Sequence, residues 1–178
     1  MRADSGHRLI ECDRSHSAAI HEILNEVIAT SAALWDYAPR PAESMSGWFD
    51  AKERGNYPVI GAVDEAGSLM GFATYGPFRA WPAYKYTVEN SIHIHRDHRG
   101  KGLGRLLLQA TIDAARAHDY HTVIAGIEAS NLASKALHAK LGFLQCALIP
   151  HAGYKFGRWL DLEFWQLILD TPANPVDG

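Results

Sequence analysis

Sulfur is scarce in this chain, with two cysteines and three methionines among 178 residues. Cys12 and Cys146 are far apart and neither has a CxxC or Cys/His spacing around it. A disulfide framework is therefore not indicated, and the pair reads as ordinary thiols in a reducing compartment. Long apolar stretches are missing too: no run approaches the roughly 18 residues that cross a bilayer. The opening Met1 to Arg8 lacks the apolar centre of a secretory signal, so the expectation is a cytoplasmic protein with no membrane partner. An excess of charge is the third absence. The formal net charge is -3, with acidic and basic residues interspersed, which offers no broad electropositive surface to a nucleic-acid backbone.

What is present fits one globular domain, with 47% apolar and 21% charged residues and enough length to bury a core without staples. We expect the domain over 1–170 and a flexible tail over 171–178. Leu9 to Cys12 starts a strand, and Ser15-His16-Ser17 offers caps for a helix whose apolar residues Ile20, Ile23, Leu24, Val27 and Ile28 recur at helical spacing. Ser31 to Pro41 is an aromatic-rich loop, in which Trp35 and Tyr37 could form a wall of a binding site. A helix over Ala42 to Arg54 precedes two strands, Pro58 to Val63 and Leu69 to Tyr75, with Gly76-Pro77 breaking the second. Phe78 to Tyr86 reads as a loop that closes over something.

Thr87 to His95 alternates as a strand with Glu89, Ser91, His93 and His95 on one polar face. It feeds a glycine-rich turn and then a helix from Leu103 to about His118. Val123 to Ile127 is a further strand, Asn131 opens a helix that ends at Gly142, and Phe143 to Ile149 and Trp159 to Leu169 are strands that close the sheet.

The turn is where chemistry first shows. Gly100, Gly102 and Gly104 let backbone amides approach a ligand with no Cβ in the way. The helix N-terminus behind them, with Arg99, Lys101 and Arg105, supplies positive charge, so the turn suits a phosphate or pyrophosphate. A Walker loop needs Gly-Lys followed by Ser or Thr, and a dinucleotide fingerprint needs glycine where Leu107 stands, so both fail on spacing. A glycine-rich connector with incidental basic residues is the plainer alternative for the turn taken alone.

Arg99-x-x-Gly102-x-Gly104 resembles the R/Q-x-x-G-x-G/A signature of the GNAT acetyltransferases. Tyr75 to Arg79, Thr87 to Ser91, Leu137 to Phe143 and Gly157-Arg158-Trp159-x-Asp161 are similar to segments of the phosphinothricin and methionine sulfoximine acetyltransferases, in the same order. The resemblance spans the first helix to Leu169. It implies an α/β GNAT fold, a mixed and largely antiparallel twisted sheet flanked by helices, which splays between the strand of Glu89 and the strand at Val123. It also implies acetyl-CoA as cosubstrate, its pantetheine arm along Ile92, His93 and Ile94 and its pyrophosphate on Arg99, Gly100, Lys101, Gly102, Leu103, Gly104 and Arg105. Asn131 would bond the arm, cap the helix, or do both. A backbone amide near Ile92 would polarise the thioester carbonyl.

Acetyl transfer to an amine needs a neutral amine, a polarised thioester carbonyl and a proton for the departing thiolate. A carboxylate attracts an ammonium and can take its proton; Glu89 matches the family's proposed catalytic Glu. His138 stands where many GNAT enzymes have Tyr and matches the phosphinothricin-type His. Whether it protonates the thiolate or deprotonates the amine stays open at this point. The same resemblance gives Arg79, Ala80, Trp81, Glu89, Asn90 and Ser91 to the substrate, a guanidinium being suited to a carboxylate. It makes a homodimer expected, with Gly153-Tyr154-Lys155 able to reach the site from a second subunit. His93, His95 and His98 could be read as metal ligands, but no acidic or Cys partner lies at supporting spacing, and GNAT transfer needs no metal.

The reaction implied is acetyl transfer to the α-amine of phosphinothricin, methionine sulfoximine or methionine sulfone. An acetyltransferase for a protein N-terminus or another amine is the first rival. A non-catalytic acyl-CoA-binding module is the second.

Overall fold

A computed structural model describes residues 6–177. Seven strands form one sheet in the order β1-β2-β3-β4-β5-β7-β6. They are β1 His7–Glu11, β2 Val59–Asp64, β3 Leu69–Pro77, β4 Thr87–Ile94, β5 Thr122–Glu128, β6 Leu144–Lys155 and β7 Arg158–Ile168. Four helices flank it: α1 Ser17–Thr30, α2 Ser44–Arg54, α3 Leu103–Ala117 and α4 Leu132–Lys140. All neighbouring strands are antiparallel except β4 and β5.

The alternation along each strand divides the core between the two faces of the sheet. Ile20, Ile23 and Leu24 of α1 pack with Met45 and Phe49 of α2 against Val59 and Phe72. On the other face Leu108, Ile112 and Ala115 of α3 pack against Tyr75, Val88 and Val123, while Leu103 and Leu107 cover Ala62 and Ala73.

The parallel pair is short. β4 and β5 are in register only over Thr87↔Thr122, Val88↔Val123 and Glu89↔Ile124. Beyond Glu89, β4 keeps β3 as its partner through Ile94 and β5 keeps β7 through Glu128. The two strands diverge from a fork at Glu89, which leaves β4 with backbone hydrogen-bonding groups along one side of a gap. This is the expected splay.

Several boundaries differ from the sequence reading. Ser15 to Ser17 does not cap α1 through a side chain; Asp13 instead caps the 3-10 turn Arg14–His16 that precedes α1, accepting from the Ser15 amide in a capping box with His16. Gly76-Pro77 does not end its strand, because Gly76 and Pro77 still pair with Glu89 and Val88. The predicted Phe143 to Ile149 strand starts one residue later and runs on to Lys155, with an irregularity between Ile149 and Gly153 that the sequence pattern does not announce. Of the tail, the Thr171 hydroxyl donates to the Tyr120 carbonyl and the Val176 amide donates to the Tyr86 hydroxyl, so the described part is tied to the body at two points.

Candidate active site

A cleft of about 670 Å³ opens where β4 and β5 part. Its walls come from β4 (Glu89 to Ile94), the glycine-rich turn, β5 (Ala125 to Glu128) and α4, with Ala33 and Leu34 from the loop after α1. The fork places Glu89 at its apex. A Cβ built on Gly126 would lie 2.8 Å from Glu89 Oε1, so the carboxylate rests over the one β5 position that has no side chain. Burial pushes the Glu89 carboxyl above its ordinary value, and the positive charge of Arg79 pulls it partly back.

His138 projects from α4 into the same cleft and is only 4% exposed. Its Nδ1 is 2.8 Å from the Ser134 carbonyl oxygen, one helical turn back, and the Asn90 amide nitrogen of β4 is 3.2 Å from its Nε2. The ring meets Phe143 edge to face at 4.9 Å. Burial holds the imidazole below its ordinary value, opposed by the bond to the Ser134 carbonyl. The neutral ring is therefore favoured near pH 7.

The turn leading into α3 has an open concave side. Gly100 and Gly102 have φ of 75° and 82°, in the left-handed region that other residues avoid. Nothing lies within 4 Å of a Cβ at either one, which leaves room for a ligand against their backbone. In the first turn of α3 the Arg105 amide donates to the Gly102 carbonyl at 3.1 Å, so the amides ahead of it are the ones without an intrahelical acceptor, at the positive end of the helix.

Not every residue expected at the cofactor turns to the cleft. Gly100, Gly102, Gly104 and Arg105 line it. Arg99 lines it as well, but its guanidinium is bonded to Glu26 and to the Ile94 carbonyl. Lys101 and Leu103 are not in the lining: the Lys101 ammonium donates to the Asp97 carbonyl at 2.9 Å, and Leu103 is buried under β2 and β3. Ile92 and Ile94 pack their side chains on α3, so what they turn to the gap is backbone. His93 lies tilted against Phe72, ring centroids 5.5 Å apart, and burial pushes it down to about 4, leaving it neutral. Asn131 caps α4, its Oδ1 accepting from the Ser134 amide at 3.1 Å, and it lines the cleft too.

On the substrate side, Glu89, Asn90 and Ser91 line the cleft, whereas Arg79, Ala80 and Trp81 lie outside its lining. Arg79 is near enough to act on Glu89 by charge, and Trp81 is 73% exposed. Nor do Trp35 and Tyr37 form the wall; Ala33 and Leu34 do. Trp35 packs on Gly153, and the Tyr37 hydroxyl donates to the Tyr154 carbonyl at 2.9 Å. Gly153-Tyr154-Lys155 thus buttresses the cleft-lining loop of its own chain. A second depression of about 720 Å³, beside Cys12, Lys52 and Tyr57, holds none of the residues predicted from sequence.

Residues 19–143 match the acetyltransferase (GNAT) family. The chain belongs to the GNAT acetyltransferases. It is 44% identical over 163 residues to the L-methionine sulfoximine/L-methionine sulfone acetyltransferase of Salmonella typhimurium, covering 92% of this chain and 95% of that one. It is 34% identical over 160 residues, 89% of this chain and 85% of the other, to the phosphinothricin N-acetyltransferase of Streptomyces viridochromogenes. A Salmonella typhimurium acetyltransferase structure with its cofactor acetyl-CoA superposes with a TM-score of 0.91 at 41% identity, covering 97% of this chain and 99% of that one.

A GNAT acetyltransferase is an acetyl-CoA-dependent enzyme, and the fork, the open turn, Glu89 and His138 of this one all fall in one cleft. Ser134, Leu137 and the β5 backbone were not picked out from sequence. Ser134 and His138 are four apart on a helix, a spacing that puts them on one face and could have flagged the serine. Gly126 sits in an apolar run, and nothing there marks the lack of a side chain as room for Glu89.

That room gives a direct test. Gly126→Ala should leave the fold intact, because the atom it meets is the mobile end of a side chain. The displaced carboxylate should lower kcat by about tenfold to a hundredfold. Steady-state kinetics beside a thermal melt separates the two effects, and an unchanged kcat would show that the position of the Glu89 carboxylate does not matter.

Proposed function

We propose that this enzyme transfers the acetyl group of acetyl-CoA to the α-amine of a small amino-acid analogue of the methionine sulfoximine, methionine sulfone or phosphinothricin type. The reading is carried by the fork that holds Glu89 over Gly126 between an open phosphate-binding turn and His138, in a chain that matches enzymes of those names over most of its length. One domain over 1–170 would carry the whole reaction.

Acetyl-CoA supplies an acyl group already activated as a thioester. The turn from Gly100 to Arg105 receives its pyrophosphate on backbone N–H groups, with Arg105 adding charge. The β4 edge from Ile92 to Ile94 offers its backbone to the pantetheine arm, and Asn131 lies at the other wall. A main-chain amide near Ile92 is the carbonyl polariser. Glu89 attracts the substrate ammonium and takes its proton, and its raised affinity for a proton suits that task better than a fully solvated carboxylate. Arg79 stands outside the cleft lining, where it pairs with the substrate carboxylate once the loop over 78–86 folds inward.

Arg79 also sets a pH signature. Because its charge favours the ionised Glu89, Arg79→Ala should raise the Glu89 pKa further. The acid side of the kcat/KM profile then moves to higher pH, while KM for the amino acid rises. A limb that stays in place would remove Arg79 from the neighbourhood of the catalytic carboxylate.

A homodimer fits the surface of the last two strands and the turn between them, where Leu144, Leu148, Tyr154, Phe156 and Trp159 are all exposed. Sedimentation at working concentration checks this. The cytoplasm is the compartment this reading requires, since acetyl-CoA must be at hand. The decisive assay is thiol release from acetyl-CoA across methionine sulfone, methionine sulfoximine, phosphinothricin, common amino acids and short peptides. Turnover concentrated on the first three supports the proposal, and a preference for peptides or for no amine at all removes it.

A further inference from the structure

The Asn90 side chain is 92% buried by its 8% exposure, yet its amide oxygen has no partner among the described residues. Its amide nitrogen faces His138 Nε2 at 3.2 Å. That arrangement follows from the other side of the ring. The Ser134 carbonyl can only accept, so at 2.8 Å it requires a proton on His138 Nδ1. The neutral ring then carries a lone pair on Nε2, and of the two ends of the Asn90 amide only the N–H end can serve it. The oxygen is left over.

Resting on the catalytic reading above, we propose that Asn90 is a positioning residue that sets the protonation state of His138. It offers N–H to the neutral ring and, after a half-turn of its amide, oxygen to the protonated ring. The amide has both a donor and an acceptor end, so one side chain stabilises either state without a backbone change. Its unpartnered oxygen is a store for the second state.

This orders the proton movements. The resting ring has no proton on the nitrogen that faces β4, so it begins as an acceptor. The ammonium sheds one proton to Glu89, which passes it to solvent. As the nitrogen–carbon bond forms and the carbon–sulfur bond breaks, the Asn90 N–H gives up the His138 Nε2 lone pair and the nitrogen's second proton goes to it. The Asn90 amide turns to hold that proton, and the departing thiolate then receives it. One proton is released overall and one ends on the thiol.

No other charge competes for the ring. Among the described residues that line the cleft, the other ionisable groups are Glu89 and His93 of β4, Arg99 ahead of the turn, Arg105 of α3, Glu128 of β5 and Lys140 of α4, and none is hydrogen-bonded to the imidazole. Glu128 is engaged by Ser130 and Arg158.

The test reads the imidazole itself, in the absence of either substrate. The protein labelled with 15N-histidine contains ten histidines, and the His138 signals are those lost in His138→Gln. At neutral pH the unaltered enzyme should show a protonated Nδ1 and a bare Nε2; the opposite tautomer would overturn the proposal without any variant having to fold. Asn90→Asp replaces the two-ended amide with an acceptor alone, and should raise the His138 pKa, followed by the same ring signals, by roughly 1 to 3 units. A His138 titration unchanged in Asn90→Asp would also overturn it. Both readouts are independent of which amine is acetylated, so failure of the substrate assignment leaves a different mark.

Discussion

Glu89→Gln should lower kcat by about 10²- to 10⁴-fold, the range over which a positioned general base contributes. The substitution keeps the shape of the side chain at the fork and its place over Gly126, and removes only the ability to take a proton. Two consequences distinguish this from damage to the site. Calorimetric affinity for coenzyme A should stay within error of the parent, because the turn from Gly100 to Arg105 is untouched. Activity should also recover in part at high pH, where more of the amine arrives already neutral. A kcat equal to the parent's would dismiss Glu89 as the base, and loss of coenzyme binding would reassign it to the cofactor.

The second large effect concerns stability. Lys155, at the end of β6, is 5% exposed and donates to three backbone carbonyls, those of Ile28 at 2.7 Å, Ser31 at 3.0 Å and Leu34 at 2.6 Å. These carbonyls end α1 and begin the loop that brings Ala33 and Leu34 to the cleft. An ammonium there satisfies the last acceptors of a helix and sits favourably at the negative end of its dipole. Lys155→Met fills similar volume but leaves the oxygens without that donor, so we expect a loss of about 2 to 4 kcal/mol. For a domain of this size that is a fall in Tm of roughly 4 to 16 °C. The wall of the cleft should loosen with it, so KM should rise as well. A melt within a degree of the parent's would show that these carbonyls are served as well by water.

The two cases show where reading a sequence succeeds and where it stops. Glu89 was recognisable as a candidate from its match to the family's proposed catalytic Glu and from its place on an alternating strand just before a glycine-rich turn, and these signals are local. So were the helical repeat from Ile20 to Ile28 and the Asn131-to-Gly142 helix, whose cap and positive-φ glycine are written in the residues at its ends. The sequence places Lys155 only in a segment, Gly153-Tyr154-Lys155, able to reach the site from a second subunit. Its role depends on carbonyls more than a hundred residues earlier in the chain, and no local pattern encodes such a partner. Gly76-Pro77 misled for a related reason. Proline forbids one backbone donor, but that donor lies at the end of a strand already held by Glu89 and Val88 on its other side.

The order of strands and helices, the glycine-rich turn between a strand and a helix, and the presence of Glu89 and His138 were set by the sequence alone, because periodicity, glycine placement and side-chain chemistry act over a few neighbouring residues. The tertiary structure decided the rest: that β4 and β5 part at Glu89, that Gly126 makes room for its carboxylate, that Leu103 is buried under β2 and β3, and that Asn90 meets His138. Each of these is a distance between elements remote in the chain, fixed only when two faces of one sheet are packed at once.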